Sequence, residues 1–231
     1  LFSTSTAAPL HDDTAIKSMP LNTSYHQVSN SVASCYIRTP NLKFRPACCD
    51  ALHLDFWLGN DNLFVSTGSY SYNCEQKYQQ YFPSVKSHST VQFDHMEQMP
   101  NISRFLYSNW IATDVKQLNS HQLSASYHNG QHQHQRQLVL SDNSLEVTDR
   151  LSGFSTSVTL RWQLAQREWH LNNNKLTSGQ ITIEISADLP IKNIKLAQGL
   201  MSRYYLQKEG IPVLEITLEH ACVVKSKISW H

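Results

Sequence analysis

Apolar and polar residues alternate along many short stretches of this 231-residue chain, and this period of two constrains its fold most. Successive side chains of a strand point to opposite faces, so the alternation is typical of a sheet with one buried face. Leucine or phenylalanine occupies positions 52, 54, 56 and 58, before a turn at residues 59–62. The same pattern predicts strands at residues 63–65, 91–93, 123–127, 138–140, 145–147, 158–164, 181–185 and 214–218. Short strands joined by polar turns predict one all-β domain, an antiparallel β-sandwich.

Helical periodicity contributes little to this sequence. No segment keeps an apolar stripe over three helical turns, although residues 74–82 could form a short helix or an irregular loop. Residues 1–24 are polar and contain Pro9 and Pro20, so we expect a linker there and the sandwich domain at residues 25–231. Because the chain begins at Leu1 rather than at methionine, we expect a fragment of a longer protein.

The charge of the chain is nearly balanced, with 19 lysines and arginines against 18 aspartates and glutamates. A nucleic-acid-binding domain is usually strongly basic, so we expect no nucleic-acid partner. No apolar run approaches the roughly 18 residues that a membrane-spanning helix requires, so we expect no transmembrane segment.

Five cysteines are present, and no two of them have CxxC spacing: Cys35, Cys48, Cys49, Cys74 and Cys222. An odd number without that motif argues against a zinc ribbon and against a complete disulfide framework. We therefore expect unpaired and partly buried thiols.

The twelve histidines are densest at residues 128–134. His132 and His134 are two residues apart, so a strand would place both on one face, where they could chelate a metal ion. However, Asn129 and Gly130 form a strong hairpin-turn signal, and no acidic residue or cysteine lies nearby in sequence. A solvated hairpin tip is therefore the preferred interpretation of this segment.

Two other segments carry residues that could do chemistry. His53 and Asp55 would share the polar face of a strand opposite the leucines, although an exposed strand face produces the same pattern. Tyr70 and Tyr72 follow Gly68, which permits a tight bend, and their phenols could stack on sugars or donate a proton. Tyrosine is also an ordinary cross-strand packing residue, so spacing alone leaves both interpretations open.

The order of several segments resembles the C-terminal β-sandwich of heparinase II/III-like polysaccharide lyases. The similarity runs from about Tyr25 to the end of the chain. It rests on residues 45–57, 66–73, 81–82, 88–94, 98–100, 104–105, 134–136, 147–150 and 202–205. Each segment is short, and it is their common order and spacing that make the resemblance specific.

The resemblance implies an N-terminal α/α toroid, absent from this chain, that would supply much of the substrate cleft. Relatives cleave uronic-acid-containing polysaccharides by β-elimination, so an acidic polysaccharide is the implied substrate, and the implied location is periplasmic or secreted. In this chemistry a Tyr or His removes the proton beside the uronate carboxylate. Amides, a histidine or a metal ion neutralise that carboxylate.

Relatives hold zinc with the second histidine of an HxHxD block, an aspartate ahead of a GxY turn and the histidine of an HNT block. Here Cys48 stands at the first of these positions, Ser66 at the second and His88 at the third, so two of three expected ligands are replaced. Pro46 replaces the first histidine of the HxHxD block, and Asp50 keeps its aspartate. Zinc normally needs three or four protein ligands, so we expect no zinc site; His88 and Cys48 are the remaining candidate ligands.

The leading hypothesis is a polysaccharide lyase-like domain that acts on a uronic-acid-containing acidic polysaccharide as part of a longer enzyme. Its candidate catalytic residues are His88, Tyr70 and Tyr72, and its candidate substrate-binding residues are Asp50, His53 and Arg45. His88 would position the substrate and neutralise its charge, while the tyrosines would line a sugar subsite. The alternative is a non-catalytic carbohydrate-binding or structural domain with a degenerate metal site, which the replacements at positions 46, 48 and 66 favour.

Overall fold

The computed structural model describes residues 24–103 and 106–231, and the predicted linker at residues 1–24 lies outside this part except for Ser24. Its strands are β1 (Tyr25–Ser29), β2 (Ala33–Arg38), β3 (Leu54–Leu58), β4 (Asp61–Phe64), β5 (Val91–Phe93), β6 (Asn101–Ser103), β7 (Leu106–Tyr107), β8 (Asp114–Asn119), β9 (Gln122–Asn129), β10 (His132–Leu140), β11 (Ser144–Ser152), β12 (Val158–Gln163), β13 (His170–Asn172), β14 (Lys175–Ser178), β15 (Ile181–Ala187), β16 (Asn193–Met201), β17 (Glu209–Leu218) and β18 (Cys222–Trp230). A short helix α1 (Gln76–Tyr81) and a 3-10 helix (Val85–Ser87) lie between β4 and β5. Among the described residues no helix has the length and apolarity needed to cross a membrane.

The strands form three larger sheets and one two-stranded pair, and all their pairings within the described residues are antiparallel. Sheet I has the order β1-β2-β3-β4, and sheet III has the order β16-β17-β12-β5. Sheet II has eight strands in the order β13-β14-β15-β18-β11-β10-β9-β8. The predicted antiparallel all-β fold is therefore confirmed.

Sheets I and III lie side by side and together face sheet II. At their junction, Phe64 forms an isolated bridge with Leu164, and its ring stacks on Trp162 with centroids 4.8 Å apart. Across the sandwich, Trp162 Nε1 donates to Ser226 Oγ of sheet II over 3.2 Å, and β1 contacts β9 and β10. Burial of the apolar faces between these layers forms one continuous core, which stabilises the fold.

Turns lie at Gly59 and Gly130, where the sequence predicted them, and the segment left open between a short helix and an irregular loop is partly helical. β9 and β10 pair as a hairpin across Gly130, whose φ of +60° suits an Asn-Gly turn. β3 pairs with β4 across the turn at Gly59, and β11 follows β10 after residues 141–143. The segment at 74–82 contains α1. All five cysteines are unpaired, as expected.

Strand β12 departs from simple alternation, because all six of its residues are buried. Trp162 faces the core, whereas the polar side chain of Gln163 is covered by the segment at residues 86–90. Gln163 Nε2 donates to the carbonyl of Lys86 over 2.9 Å, and the backbone N–H of Gln163 donates to Ser89 Oγ over 3.0 Å. These bonds hold the segment that contains His88 against sheet III.

Candidate functional site

A cleft of about 250 Å³ is lined by some of the residues of three segments, 46–53, 66–72 and 78–88, together with two tyrosines from elsewhere in the chain. Five residues that the sequence singled out line it, namely Cys48, Asp50, His53, Tyr72 and His88. Arg45 is exposed and does not line the cleft, and its expected place among the substrate-binding residues stays a prediction.

His53 and His88 form a buried pair in the cleft wall. Their side chains are 6% and 5% exposed, and their ring centroids lie 5.3 Å apart in an edge-to-face arrangement. The backbone N–H of Ser89 donates to His53 Nδ1 over 2.8 Å, so the neutral His53 ring carries its proton on Nε2. Within residues 24–103 and 106–231, His53 Nε2 and both ring nitrogens of His88 have no hydrogen-bond partner. Unpartnered buried polar atoms are costly, which makes this pair a candidate ligand-binding site.

Both histidines are uncharged near neutral pH. Burial lowers the pKa of His53 well below its usual range, and the neighbouring His88 and Arg136 lower it further. Burial also lowers the pKa of His88, although the carboxylate of Asp50 opposes this shift. His88 therefore offers hydrogen bonds and a proton acceptor rather than the positive charge that the sequence led us to expect.

Asp50 lies at the centre of a small polar cluster beside the histidines. Its Oδ2 accepts a hydrogen bond from Arg38 Nε over 3.1 Å and one from Cys48 Sγ over 3.3 Å. The Arg38 guanidinium also lies 4.7 Å from the ring centroid of Tyr25. Sequence reasoning missed Arg38, because β2 is distant from the motif segments and its arginine continues the ordinary alternation of a strand.

The tyrosines are arranged differently from the prediction. Tyr72 lines the cleft and is 67% exposed. Tyr70 does not line the cleft; its hydroxyl accepts from Lys208 Nζ over 3.3 Å and its ring stacks on Phe82. The roles expected of both tyrosines stay predictions.

Two tyrosines that the sequence did not single out, Tyr25 and Tyr107, complete the cleft wall. Burial raises the pKa of Tyr25, and it raises the pKa of Tyr107 to about 12 with a further contribution from Cys49. Both phenols are therefore protonated at neutral pH and can donate hydrogen bonds. The strands that carry them, β1 and β7, contain no local motif, so only the folded structure identifies these two tyrosines as cleft residues.

Gly68 sets the position of the cleft wall at residues 66–72. Its φ is +72°, and a Cβ added there would lie 2.1 Å from the carbonyl oxygen of Ser202. The backbone N–H of Ser202 donates to Thr67 O over 2.8 Å, and Ser71 Oγ donates to the hydroxyl of Tyr205 over 3.1 Å. The bend predicted at Gly68 thus lets the wall dock on residues 202–205.

The interpretation of His134 as part of a solvated hairpin tip is wrong. His134 is 1% exposed, and its Nε2 is 2.6 Å from Oδ1 of the buried Asp149 on the neighbouring strand β11. His132 instead lies 3.2 Å from Asp94. The carboxylate partners are distant in sequence and come close only through folding, so a search along the sequence could not find them.

Zinc does not fit the residues of the cleft. Within residues 24–103 and 106–231, no group of three histidines, cysteines, aspartates or glutamates has the geometry to hold a metal ion. Burial strongly raises the pKa of the Cys48 thiol, and Asp50, to which this thiol donates, raises it further, so the thiolate that zinc requires is disfavoured. Ser66 lines the same cleft without supplying a carboxylate.

Fold and cleft together define an antiparallel β-sandwich domain with an aromatic-lined cleft. The sequence matches the family described as "Heparinase II/III-like, C-terminal" over residues 37–208, so the chain belongs to this family. No curated protein matches the sequence.

Solved structures agree with this family. The structure titled "Heparinase III-BT4657 gene product" has a TM-score of 0.75 and 17% identity, and the match covers 90% of this chain and 35% of that one. The heparan sulfate lyase HepC from Pedobacter heparinus has a TM-score of 0.70 and 14% identity, with 91% of this chain and 36% of that one covered. These matches confirm the β-sandwich fold. The chain spans about a third of the length of either protein.

Proposed function

We propose that this chain is the β-sandwich part of a longer enzyme that cleaves a uronic-acid-containing acidic polysaccharide by β-elimination. The observation that carries the proposal is the pair of neutral, buried histidines in an aromatic-lined cleft, with three ring nitrogens that have no partner among the described residues. An N-terminal α/α toroid would supply the other wall of the substrate cleft. The titles of the similar structures, which name heparinase III and a heparan sulfate lyase, support this class of substrate.

The β-elimination requires the removal of one proton and the delivery of another. A base removes the proton from C5 of the uronate, a double bond forms between C4 and C5, and the C4–O bond breaks. The leaving oxygen then takes up a proton. The C5 proton becomes acidic only when the charge of the adjacent carboxylate is stabilised, so hydrogen-bond donors around that carboxylate lower the barrier.

The residues of the cleft can supply hydrogen-bond donors to the uronate carboxylate. His53 presents its Nε2 proton, and His88 presents two ring nitrogens that no group of the described chain occupies. Tyr25 and Tyr107 are protonated donors in the same wall. We assign His88 to substrate positioning by hydrogen bonding, with Tyr72 at the exposed rim as a stacking partner for a sugar ring.

Asp50 is assigned to recognition of sugar hydroxyls. Its charge is compensated by Arg38, which limits repulsion of an anionic substrate. The remaining lone pairs of the carboxylate can accept hydrogen bonds from hydroxyl groups of the sugar. An aspartate paired in this way selects for a hydroxylated, charged sugar rather than for an apolar ligand.

The test is a turnover assay on the full-length protein that contains this chain. A panel of uronate polymers is offered, and the unsaturated product is followed through the ultraviolet absorbance of its new double bond. We expect product from at least one polymer and its loss in the His88→Phe variant. Absence of product from all polymers would overturn the lyase proposal.

The second candidate function is carbohydrate binding without turnover. It is favoured by the replacement of two metal-ligand positions by Cys48 and Ser66. This function predicts that the full-length protein binds an acidic oligosaccharide in calorimetry while producing no unsaturated sugar. Turnover that disappears on replacement of His88 would exclude it.

A further inference from the structure

We propose that Arg136 is a positioning residue whose guanidinium fixes the two chain segments that carry His53 and His88. Arg136 lies on β10, is completely buried and contacts neither the cleft nor solvent. It can therefore act on a substrate only through other residues. The proposed effect on turnover rests on the proposed function, whereas the effect on the geometry of the histidines does not.

The contacts of one guanidinium nitrogen connect the two segments. Arg136 Nη1 donates to the carbonyl of Leu52 over 2.5 Å and to the carbonyl of Ser89 over 2.8 Å. Leu52 directly precedes His53, and Ser89 directly follows His88. The same Ser89 donates its backbone N–H to His53 Nδ1, so His53 and Arg136 bond the two backbone groups of one residue.

The backbone at Leu52 needs such support. Its φ is +58°, which is a left-handed conformation that is unfavourable for a residue with a branched side chain. A strained residue persists only where its surroundings determine its conformation. The bond from Arg136 to the Leu52 carbonyl supplies this restraint immediately next to His53.

The orientation of the guanidinium is itself fixed from the other side. Its Nε and Nη2 donate to the two carboxylate oxygens of Asp149 over 2.7 and 3.1 Å, and its centre lies 4.8 Å from the Trp162 ring centroid. His134 Nε2 lies 2.6 Å from the same Asp149 carboxylate. Burial raises the pKa of Asp149, but Arg136 and His134 outweigh this and hold the carboxyl below its usual range.

The composition of this network favours a positioning role over a purely stabilising one. A buried ion pair gives little stability compared with apolar residues of the same volume, because both charges must leave water. A planar guanidinium with five donors can bridge a carboxylate and two carbonyls at once, whereas a lysine ammonium cannot reproduce this fork. The arginine therefore does what an apolar core residue cannot do: it bonds two distant loops in one fixed geometry.

The experiment compares Arg136→Lys with Arg161→Lys in the full-length protein. Arg161 is the matched control, because it is also a buried arginine with a carboxylate partner, Glu215, and an amide partner, Gln92, but its side chain contacts neither histidine segment. The first readout is the rate at which diethylpyrocarbonate modifies His53 and His88, measured by peptide mass spectrometry. The second readout is kcat and KM on the uronate polymer that is turned over.

We expect Arg136→Lys to raise the modification rates of both histidines several-fold and to lower kcat by on the order of tenfold or more, with KM little changed. Arg161→Lys should change neither readout at a comparable loss of Tm. Equal behaviour of the two variants would overturn the proposal. If the wild-type protein shows no turnover, the proposed function fails, and the modification rates alone decide on the positioning role.

If Arg136→Lys does not fold, a second variant tests the same proposal. Asp149→Asn keeps the size of the carboxylate but removes the charge that orients the guanidinium. Faster modification of His53 and His88 in the folded Asp149→Asn protein supports the proposal. Unchanged modification rates in this variant contradict it.

Discussion

The imidazole rings of His53 and His88 meet edge to face at 5.3 Å, with an angle of 73° between their planes. At this distance a proton on one ring disfavours a proton on the other, and burial disfavours both. The pair is therefore held neutral by the fold, and this neutrality has consequences for stability as well as for chemistry.

Acid should destabilise the domain through its buried histidines. The pKa values of His53, His88 and His134 are lowered mainly by burial, so below the usual histidine value of 6.5 the unfolded chain binds more protons than the folded chain. Stability is then fully present above pH 6.5 and is lost as the pH falls through the folded values, by up to about 1.4 kcal/mol per pH unit for each histidine. Urea midpoints between pH 8 and pH 5 measure this slope. The exposed His128, changed to Asn, is the control that should leave it unaltered.

Replacing His88 by Phe should separate stability from function. The ring nitrogens of His88 have no partner in the part of the chain that the structure describes, so their removal should raise the free energy of unfolding by about 1 kcal/mol, while turnover falls by on the order of a hundredfold. Urea denaturation and the turnover assay measure the two effects. His134→Phe is the matched variant: it should lose stability, since it removes the partner of Asp149. Equal destabilisation by both variants would contradict this assignment.

We expect this chain to bind zinc when the two replaced ligand positions carry the histidine and the aspartate of the family pattern. Cys48, Ser66 and His88 line one cleft, so the double variant Cys48→His with Ser66→Asp should bind about one zinc ion per chain in tetrahedral geometry. Metal analysis after dialysis measures the bound zinc. Adding His88→Phe to the double variant should abolish binding. A triple variant that retains the zinc would show that the three positions do not converge.

Gly68→Ala should damage the cleft wall more than its backbone conformation alone explains. The new methyl would meet the carbonyl of Ser202, so we expect a loss of about 2–3 kcal/mol. Gly59 has a similar positive φ of +57° with no atom near its would-be Cβ, and Gly59→Ala should lose only about 1 kcal/mol. Thermal unfolding compares the two variants. Similar losses would mean that the close approach to Ser202 relaxes easily.

Much of the fold could be predicted because alternation is a local property. Strands with one polar face, such as β9 and β15, have a burial pattern that follows their sequence closely. β12 is the exception, since Thr159, Arg161 and Gln163 are polar and yet buried. Gln163 is covered by residues 86–90, and no pattern within β12 signals that a second layer will lie on the strand.

The site was predictable only where it repeats the motif order of its family. His88, Asp50 and Cys48 were found in this way, and the structure brings them to one cleft. Arg38 and Tyr107 were missed because each is an ordinary strand residue until the chain folds. Arg136, in turn, has the alternating position of any strand residue, and only the carbonyls it bonds distinguish it.

The docking of Gly68 on Ser202 also determines when the cleft can exist during synthesis. The wall at residues 66–72 is held by bonds to residues 202–206, which leave the ribosome only after most of the domain has been made. The segments that carry His53 and His88 likewise gain their bonds to Arg136 only after Arg136 and its partner Asp149 have been synthesised. The strands of sheet I would thus be synthesised before the cleft can form. The chain would become able to bind a ligand only once the residues after β16 have been made.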